Sequence, residues 1–511
     1  MKRFDKGYIY YHLLSDLFGC LIILYAFGKD MFFGEDANTF DLSTAGFIFG
    51  VIFITVYILF ILYRIFYYKT SGYELTEREI KCKRGVLFKK SSVLEYTKIH
   101  AINKKQNIIH KIFRVAILTV DSGSANTAHQ AEIIIVEKAT TVDGLLSQLH
   151  LLRKDGVLPK NNEENSETVA EKVLLSQRDS LYNFTSKKKL VYSLVNIVST
   201  AIYTTALGIM LTVVIGICQW FLKFKILNTF GNYLVLAIGI TLGAIILLSI
   251  VSFVGSIIHS FVGYHNFKIT KKDNDIEISF GLLESHTNTF SYDRIKGVKI
   301  SQSFMQRILG FASIKLEVIG YANETGNDHV ELGVLVPFCN YSEVNDILKK
   351  ILPNYIPDEK QITSKAFFPF FSWASLIIFG ATFFTGLICF SVFLALKLSW
   401  IIITIVLTAL LGIGFVIFLI NLLGSYFSYK TNGLGLSDGK ITAYSGGFSK
   451  TITVLMAENL VAIEDKTTPL RKKAGITSFI LHLKTNALSN EIYVNIQDSA
   501  ILEKLENMLT L

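Results

Sequence analysis

The sequence predicts a membrane protein of mixed α and β structure: six transmembrane helices in three hairpins, each hairpin followed by a small cytoplasmic β-barrel with a C-terminal helix. Three observations predict this fold. Apolar segments occur in pairs, a polar stretch with a strand pattern follows each pair, and this unit occurs three times. A fixed internal period makes each unit one structural module. The predicted boundaries are hairpins at 8–68, 187–264 and 366–429, β domains at 69–152, 265–352 and 430–511, and polar linkers at 153–186 and 353–365.

The transmembrane helices are predicted from long apolar runs. Hydrophobic residues make up 51% of the chain and charged residues 18%, which is typical of integral membrane proteins. Five runs contain no Asp, Glu, Lys or Arg: 42–63, 190–222, 226–264, 366–396 and 398–429. About 20 apolar residues cross a bilayer core, so each run is long enough. The first span, near Tyr8–Phe27, contains Asp16 and is interpreted as an uncleaved helix because no small-residue cleavage site follows it.

The orientation is predicted from the charges that flank the first span. Lys2, Arg3 and Lys6 precede it, whereas the loop after it is acidic. Lysine and arginine favour the cytoplasmic side, so the N-terminus is predicted to be cytoplasmic. With six spans, the C-terminus and all three β domains would also face the cytoplasm, in the cell membrane.

Each β domain is predicted from strand patterns in register with the other two. Gly85, Gly281 and Gly446 align, and fourteen residues after each stands an aliphatic residue. Each domain ends with apolar residues at helical spacing, such as Val142, Leu145, Leu146 and Leu149 in the first. An antiparallel barrel plugged by a helix would leave no exposed strand edges.

The motifs of the second module carry a family resemblance. They are Phe267-Lys-Ile-Thr, Gly281-Leu-Leu, Arg294-Ile-Lys-Gly-Val and Arg307-Ile-Leu-Gly310. With a preceding hairpin, they resemble the bacterial pleckstrin-homology (PH) domain membrane proteins of the YdbS/YdbT type, and three modules resemble the longer, YdbT-like member. The first module departs from the pattern with Arg114 in place of Gly310.

The resemblance implies a PH-like barrel of about seven strands with a C-terminal helix, and a cell-membrane location. It also implies a smaller, one-module PH-domain membrane protein as a partner. Members of this family are associated with protection against membrane-active peptides, including immunity to leaderless bacteriocins.

Catalytic and metal-binding motifs are absent from the sequence. There is no HExxH zinc motif, no phosphate-binding P-loop and no dinucleotide fingerprint. The five cysteines are scattered without a CxxC pair, which predicts neither a disulfide framework nor a zinc site. We therefore expect a protein that is not an enzyme and that has no cofactor, no metal and no nucleic-acid partner.

Two groups of residues are candidate sites. Each module carries basic residues in the loop before its later strands: Lys111 and Arg114, then Arg307, then Arg471, Lys472 and Lys473. They are predicted to contact anionic lipid headgroups or a partner, the alternative being a solvated barrel rim. His12 and Asp16 share a helical face and form a candidate intramembrane polar site. The alternative is that both lie near the inner headgroups.

The sequence thus predicts a non-enzymatic membrane protein that protects the cell membrane against membrane-active peptides, as in bacteriocin immunity or resistance, within a complex. The alternative is a scaffold that binds lipid or protein through PH-like domains. A transporter component is disfavoured because the four later spans lack Asp, Glu, Lys and Arg. The expected partners are anionic membrane lipids, the smaller one-module protein, a second copy of this chain and the peptide itself.

Overall fold

A computed structural model describes most of the chain outside the first and second predicted hairpins. The described residues are 1–17, 19, 42–86, 88–99, 101–122, 133–155, 180–195, 243, 250–251, 253–272, 275–318, 333–364, 373–395, 400–437, 439–483 and 491–509. They belong to two compact units. The first comprises 1–184 and 261–294, and the second comprises 185–260, 295–318 and 333–511.

The first unit contains two antiparallel sheets. One has the strand order β1-β2-β3-β4, with β1 at Lys2–Arg3, β2 at Gly72–Leu75, β3 at Glu79–Arg84 and β4 at Lys90–Glu95. The other has the order β7-β6-β5-β11-β10-β9-β8. Its strands are β5 (Ala101–Gln106), β6 (Val115–Asp121), β7 (Ile133–Lys138), β8 (Ser180–Asn183), β9 (Lys268–Lys272), β10 (Asp275–Phe280) and β11 (Ser285–Ser291).

The second unit repeats this plan. A seven-stranded sheet has the order β14-β13-β12-β18-β17-β16-β15, and a three-stranded sheet has the order β19-β20-β21. The strands are β12 (Ile295–Gln302), β13 (Phe311–Val318), β14 (Val334–Asn340), β15 (Ile362–Thr363), β16 (Gly433–Ser437), β17 (Lys440–Ser445), β18 (Lys450–Met456), β19 (Leu460–Lys466), β20 (Ile476–Leu483) and β21 (Glu491–Asp498).

Both seven-stranded sheets join two consecutive modules. In the first unit β5 of the first module pairs with β11 of the second, and in the second unit β12 of the second module pairs with β18 of the third. The antiparallel strands of each module are consistent with PH-like β domains. The prediction that each module closes its own barrel is wrong, because β5 and β12 pair with strands of the next module. An alternating strand pattern shows which face is buried, whereas either backbone edge can accept any antiparallel neighbour.

The predicted C-terminal helices of the three modules are confirmed. They are Ala139–Asp155, Val344–Ile351 and Ile501–Leu509. Each places a leucine in a core, and Leu149, Leu348 and Leu505 all have 0% of their surface exposed. Their apolar spacing was therefore a reliable signal, because one face of each helix must leave water.

Short helices precede the later strands of each module. They are Ile108–Ile112, Phe304–Leu309 and Pro469–Lys473, the segments in which the sequence placed its basic loops. Longer helices run over 7–17, Leu42–Thr70, 186–195, Phe253–Gly263, Trp373–Ala395 and Trp400–Thr431. The last two contact each other, and a Cβ added to Gly414 would lie 2.4 Å from Oγ1 of Thr382.

The prediction of six transmembrane helices in three hairpins is wrong for the part of the chain that the structure describes. Among those residues one helix is long and apolar enough to cross a membrane: the segment Val51–Thr70 of the helix Leu42–Thr70. Hydropathy reports only the composition of a run, and it does not fix where a helix begins or ends. Part of the first predicted span, most of the third and fourth, and several side chains of the helices starting at Trp373 and Trp400 lie outside the described residues.

Candidate functional site

A cleft of about 720 Å³ lies where the N-terminal strand meets the first module. Its charged lining, which we call the cationic cleft, consists of Lys2, Arg3, Lys6, Arg114, Lys138, Asp5 and Glu137. Five cations face two carboxylates, so the lining carries three net positive charges. Phe4, Gly7, Tyr10, Tyr68, Ile112 and Phe113 complete the wall. A cleft with this lining can hold an anion beside an apolar surface.

The N-terminal segment is anchored on both sides of the cleft. Lys2 pairs with Tyr73 and Arg3 with Gly72 in the β1–β2 ladder. The backbone N–H of Asp5 donates to the carbonyl of Val136 at 3.0 Å. The Asp5 carboxylate accepts from the N–H of Gly7 at 2.8 Å, at the start of helix 7–17. These contacts keep the N-terminal cations beside the later strands of the module.

The cations of the cleft differ in how far they are neutralised. Nζ of Lys2 lies 2.9 Å from the buried carboxylate of Glu137, which also accepts from the Tyr73 hydroxyl at 3.1 Å. The hydrogen bond to Glu137 is the main cause of the raised pKa of Lys2, which stays charged. The side chains of Arg3, Lys6, Arg114 and Lys138 are exposed. These four supply the uncompensated charge.

The cleft lies next to the end of the candidate membrane helix. Tyr68 is in the last turn of Leu42–Thr70. The apolar wall is open to solvent, with Tyr10 54% and Ile112 64% exposed. Tyrosines and basic side chains are enriched at the headgroup level of membranes. The cleft therefore combines the residue types that suit a membrane surface.

Arg114 occupies a left-handed backbone position that the repeat keeps in every module. Its φ is 54°, and the aligned Gly310 and Gly475 have φ values of 74° and 65°. Each residue follows the short helix and precedes the later strands. An arginine there costs roughly 1–2 kcal/mol relative to glycine. The departure from the glycine pattern thus keeps the turn and adds a cation to the cleft.

Two other predicted basic residues lie at the joints between modules. Nζ of Lys111 donates to the carbonyl of Leu282, in the β10–β11 turn of the next module. Nη1 of Arg307 donates to the carbonyl of Gly447, in the β17–β18 turn, at 2.7 Å. Lys111 aligns with Arg307, and Leu282 aligns with Gly447. Burial lowers the pKa of Lys111. We call these two contacts the cation latches.

The three basic residues of the third module lie on the helix Pro469–Lys473. Lys472 aligns with Lys111 and Arg307; Lys472 and Lys473 are exposed, and Arg471 is half-buried. The N–H of Arg471 donates to Oγ1 of Thr468 at 3.5 Å, which caps the helix. A role in headgroup or partner contact stays a prediction for these residues. They belong to the second compact unit and are not among the residues that line the cationic cleft.

Asp16 forms an ion pair that the sequence analysis missed. Nε and Nη2 of Arg64 donate to the two carboxylate oxygens of Asp16 at 2.8 and 2.9 Å. His12, one turn earlier, packs against the rings of Tyr8 and Tyr11, with ring centroids 4.4 and 4.0 Å away. Arg64 immediately follows the predicted second span, 42–63, so the apolar runs did not indicate it as a partner for Asp16. The cations Arg3, Lys6 and Lys138 were also missed, although Arg3 and Lys6 had been used for orientation.

His110 supplies a pH-dependent cap for the short helix of the first module. Its Nδ1 accepts from the N–H of Asn107 at 3.2 Å, as Gln306 does for Ser303 in the second module at 2.9 Å. The side chain is 2% exposed. Burial, assisted by Lys105, lowers the pKa of His110 from 6.5 to about 4.

We expect acid to weaken the first module through His110. Between about pH 6.5 and about pH 4 the unfolded chain binds a proton at this residue and the folded chain does not, so stability falls as pH falls. The loss should approach about 1.4 kcal/mol per pH unit. His110→Gln, which copies the cap of Gln306, should keep the hydrogen bond and remove this contribution. Thermal unfolding at pH 7 and pH 4.5 compares the two proteins, and identical shifts would contradict the prediction.

PH-like β domains joined to an apolar helix define a membrane-associated PH-domain protein. Residues 22–150 and 193–354 match the bacterial PH domain family, so the chain belongs to that family. It is similar to the UPF0699 transmembrane protein YdbT of Bacillus subtilis (strain 168), with 22% identity over 295 residues. The match covers 56% of this chain and 57% of YdbT, just over half of each. No solved structure matches the chain significantly.

Proposed function

We propose that the protein is a non-enzymatic membrane scaffold whose first module binds anionic lipid headgroups in the cationic cleft. The observation that carries this proposal is the net positive charge of a cleft next to the end of the helix Val51–Thr70. Basic residues near an anionic leaflet contribute about 1 kcal/mol each. The cleft is assigned to the cytoplasmic side, because its N-terminal cations fit the positive-inside rule.

The exposed cations of the cleft should determine lipid selectivity. In Arg3→Gln/Lys6→Gln/Lys138→Gln the full-length protein should lose about 3 kcal/mol of binding to phosphatidylglycerol, a loss on the order of 100-fold. Native mass spectrometry of the detergent-solubilised protein measures the lipid retained. Arg114 is left intact because its substitution would also alter a strained turn.

Lys349→Gln/Lys350→Gln, which removes exposed lysines from the helix Val344–Ile351, is the control and should retain the lipid. Phosphatidylcholine should bind both proteins weakly and equally. Retention of phosphatidylglycerol by the triple variant at the level of the control would refute headgroup binding by the cleft.

Protection against membrane-active peptides is the second function that we propose, and it rests on the resemblance to the YdbS/YdbT type. A scaffold bound to anionic lipid would lie where cationic peptides accumulate. Peptide sensitivity of a deletion strain tests it, with complementation by the wild-type chain and by the cleft triple variant. Unchanged sensitivity after deletion would remove this function without affecting lipid binding.

A further inference from the structure

The two joints between modules are copies of one strand pairing. In the first unit Thr289 of β11 lies opposite Ile102 of β5. In the second unit Val454 of β18 lies opposite Val298 of β12. Aligning the modules on Gly85, Gly281 and Gly446 superimposes these pairs residue for residue. The protein therefore uses one edge-to-edge interface twice, each time between the fourth strand of one β domain and the third strand of the next.

The first and third modules each present one strand edge of the kind that is paired at the internal joints. Among the described residues, β4 of the first module pairs only with β3, and β19 of the third module pairs only with β20. By alignment β4 corresponds to β11 and β18, and β19 corresponds to β5 and β12. The two ends of the repeat thus present the two halves of the interface that is closed at both internal joints.

The exposure of side chains on β4 and β19 shows that each strand lacks, within the described residues, the neighbour that covers its counterpart at the internal joints. Val93 of β4 is 53% exposed, whereas the aligned Thr289 and Val454 are 0% exposed. Ile463 of β19 is half-buried, whereas the aligned Ile102 and Val298 are 0% exposed. A neighbouring strand explains the difference, because a side chain directly opposite lies about 5 Å away and covers its partner.

The cation latch also has an unused third copy. Lys472 aligns with Lys111 and Arg307 and is exposed, and Val86, in the β3–β4 turn, aligns with Leu282 and Gly447. Pairing β19 with β4 of another molecule would place Lys472 beside the carbonyl of Val86. In the part of the chain that the structure describes, the strand edges and the latch residues at the two ends of the repeat therefore have no partner of the kind seen at the internal joints.

We propose that β19 of one molecule pairs antiparallel with β4 of a second copy of this chain, with Val93 opposite Ile463 and Lys472 on the carbonyl of Val86. In this register Lys89 and Lys90 lie diagonally across from Asp465 and Glu464, whose charges are opposite. Lys90 directly faces Lys466, which is the unfavourable pair in the register. The contact is heterologous, so it builds a ring or a chain of copies.

Disulfide trapping between two differently labelled full-length chains tests the register. One chain carries Val93→Cys and the other Ile463→Cys, with Cys20, Cys218 and Cys389 replaced by serine and the buried Cys82 and Cys339 retained. Directly opposite residues are close enough to bridge. We expect a mixed disulfide dimer in the detergent-solubilised mixture and little dimer with either chain alone.

The control mixture pairs Glu95→Cys with Lys466→Cys. The proposed register separates these positions by five residues, roughly 17 Å along the strand, so they should not bridge. Lys472→Ala should reduce the Val93–Ile463 product several-fold, while Lys473→Ala, its neighbour, should leave it unchanged.

Three results would overturn the proposal. The first is a mixture that yields no more dimer than the control, and the second is equal trapping with Val93→Cys alone. The third is a product that contains a different protein, such as a one-module partner, in place of the second copy. None of these results depends on lipid binding, because the edges and the cationic cleft are separate sites.

Discussion

Gly281→Ala should lower the stability of the first unit by about 3 kcal/mol. Gly281 has φ +105°, and an added Cβ would lie 1.7 Å from the carbonyl oxygen of Glu284. Such backbone strain costs about 1–3 kcal/mol by itself, and the clash with a backbone atom cannot relax by side-chain rotation. The substitution should also displace Leu282, whose carbonyl accepts the Lys111 latch. The substitution should therefore destabilise both the β10–β11 turn and the contact between the first and second modules.

The buried thiols provide the measurement. Cys82, 2% exposed in the first unit, should react with a thiol reagent at lower urea in Gly281→Ala, while Cys339 in the second unit serves as an internal reference. Gly144→Ala is the control, because an added Cβ there meets nothing within 4 Å and alanine favours the helix by about 1 kcal/mol. Unchanged reactivity of Cys82 in Gly281→Ala would contradict the turn conformation.

Arg64→Leu should destabilise the packing of helix 7–17 against Leu42–Thr70 by about 3–5 kcal/mol. The side chains of Arg64 and Asp16 are 18% and 14% exposed, so removing one leaves the other charge poorly solvated. Losing one partner of a buried pair is strongly destabilising, whereas replacing both can be nearly neutral. Asp16→Asn/Arg64→Gln should therefore lose less stability than Arg64→Leu.

Thermal unfolding of the three full-length proteins in one detergent measures these losses. Equal losses in the single and the double variant would contradict a coupled pair. The double variant also tests the candidate polar site, because a role for the Asp16 charge in protection would be lost even though the fold is retained. Restored stability with full peptide resistance would identify the pair as structural.

Sequence patterns predicted local structure better than they predicted contacts between distant parts of the chain. Helical spacing predicted the closing helices correctly, since Val142 and Leu149 face the same core. Hydropathy predicted more membrane helices than the described residues contain. The alignment placed Lys111 and Arg307 at equivalent positions, but only the folded chain brings each to a carbonyl of the next module.

The sequence by itself determined the threefold repeat, the closing helix of each module and the apolar face that each of these helices buries. These features follow from local periodicity, because every helix and strand must turn an apolar face away from water. Only the tertiary structure decided that β5 pairs with β11 and β12 with β18, that Asp16 meets Arg64, and that Arg3 and Arg114 share a cleft. Backbone edges are chemically alike in all strands, so the identity of a distant partner emerges only when the chain is folded.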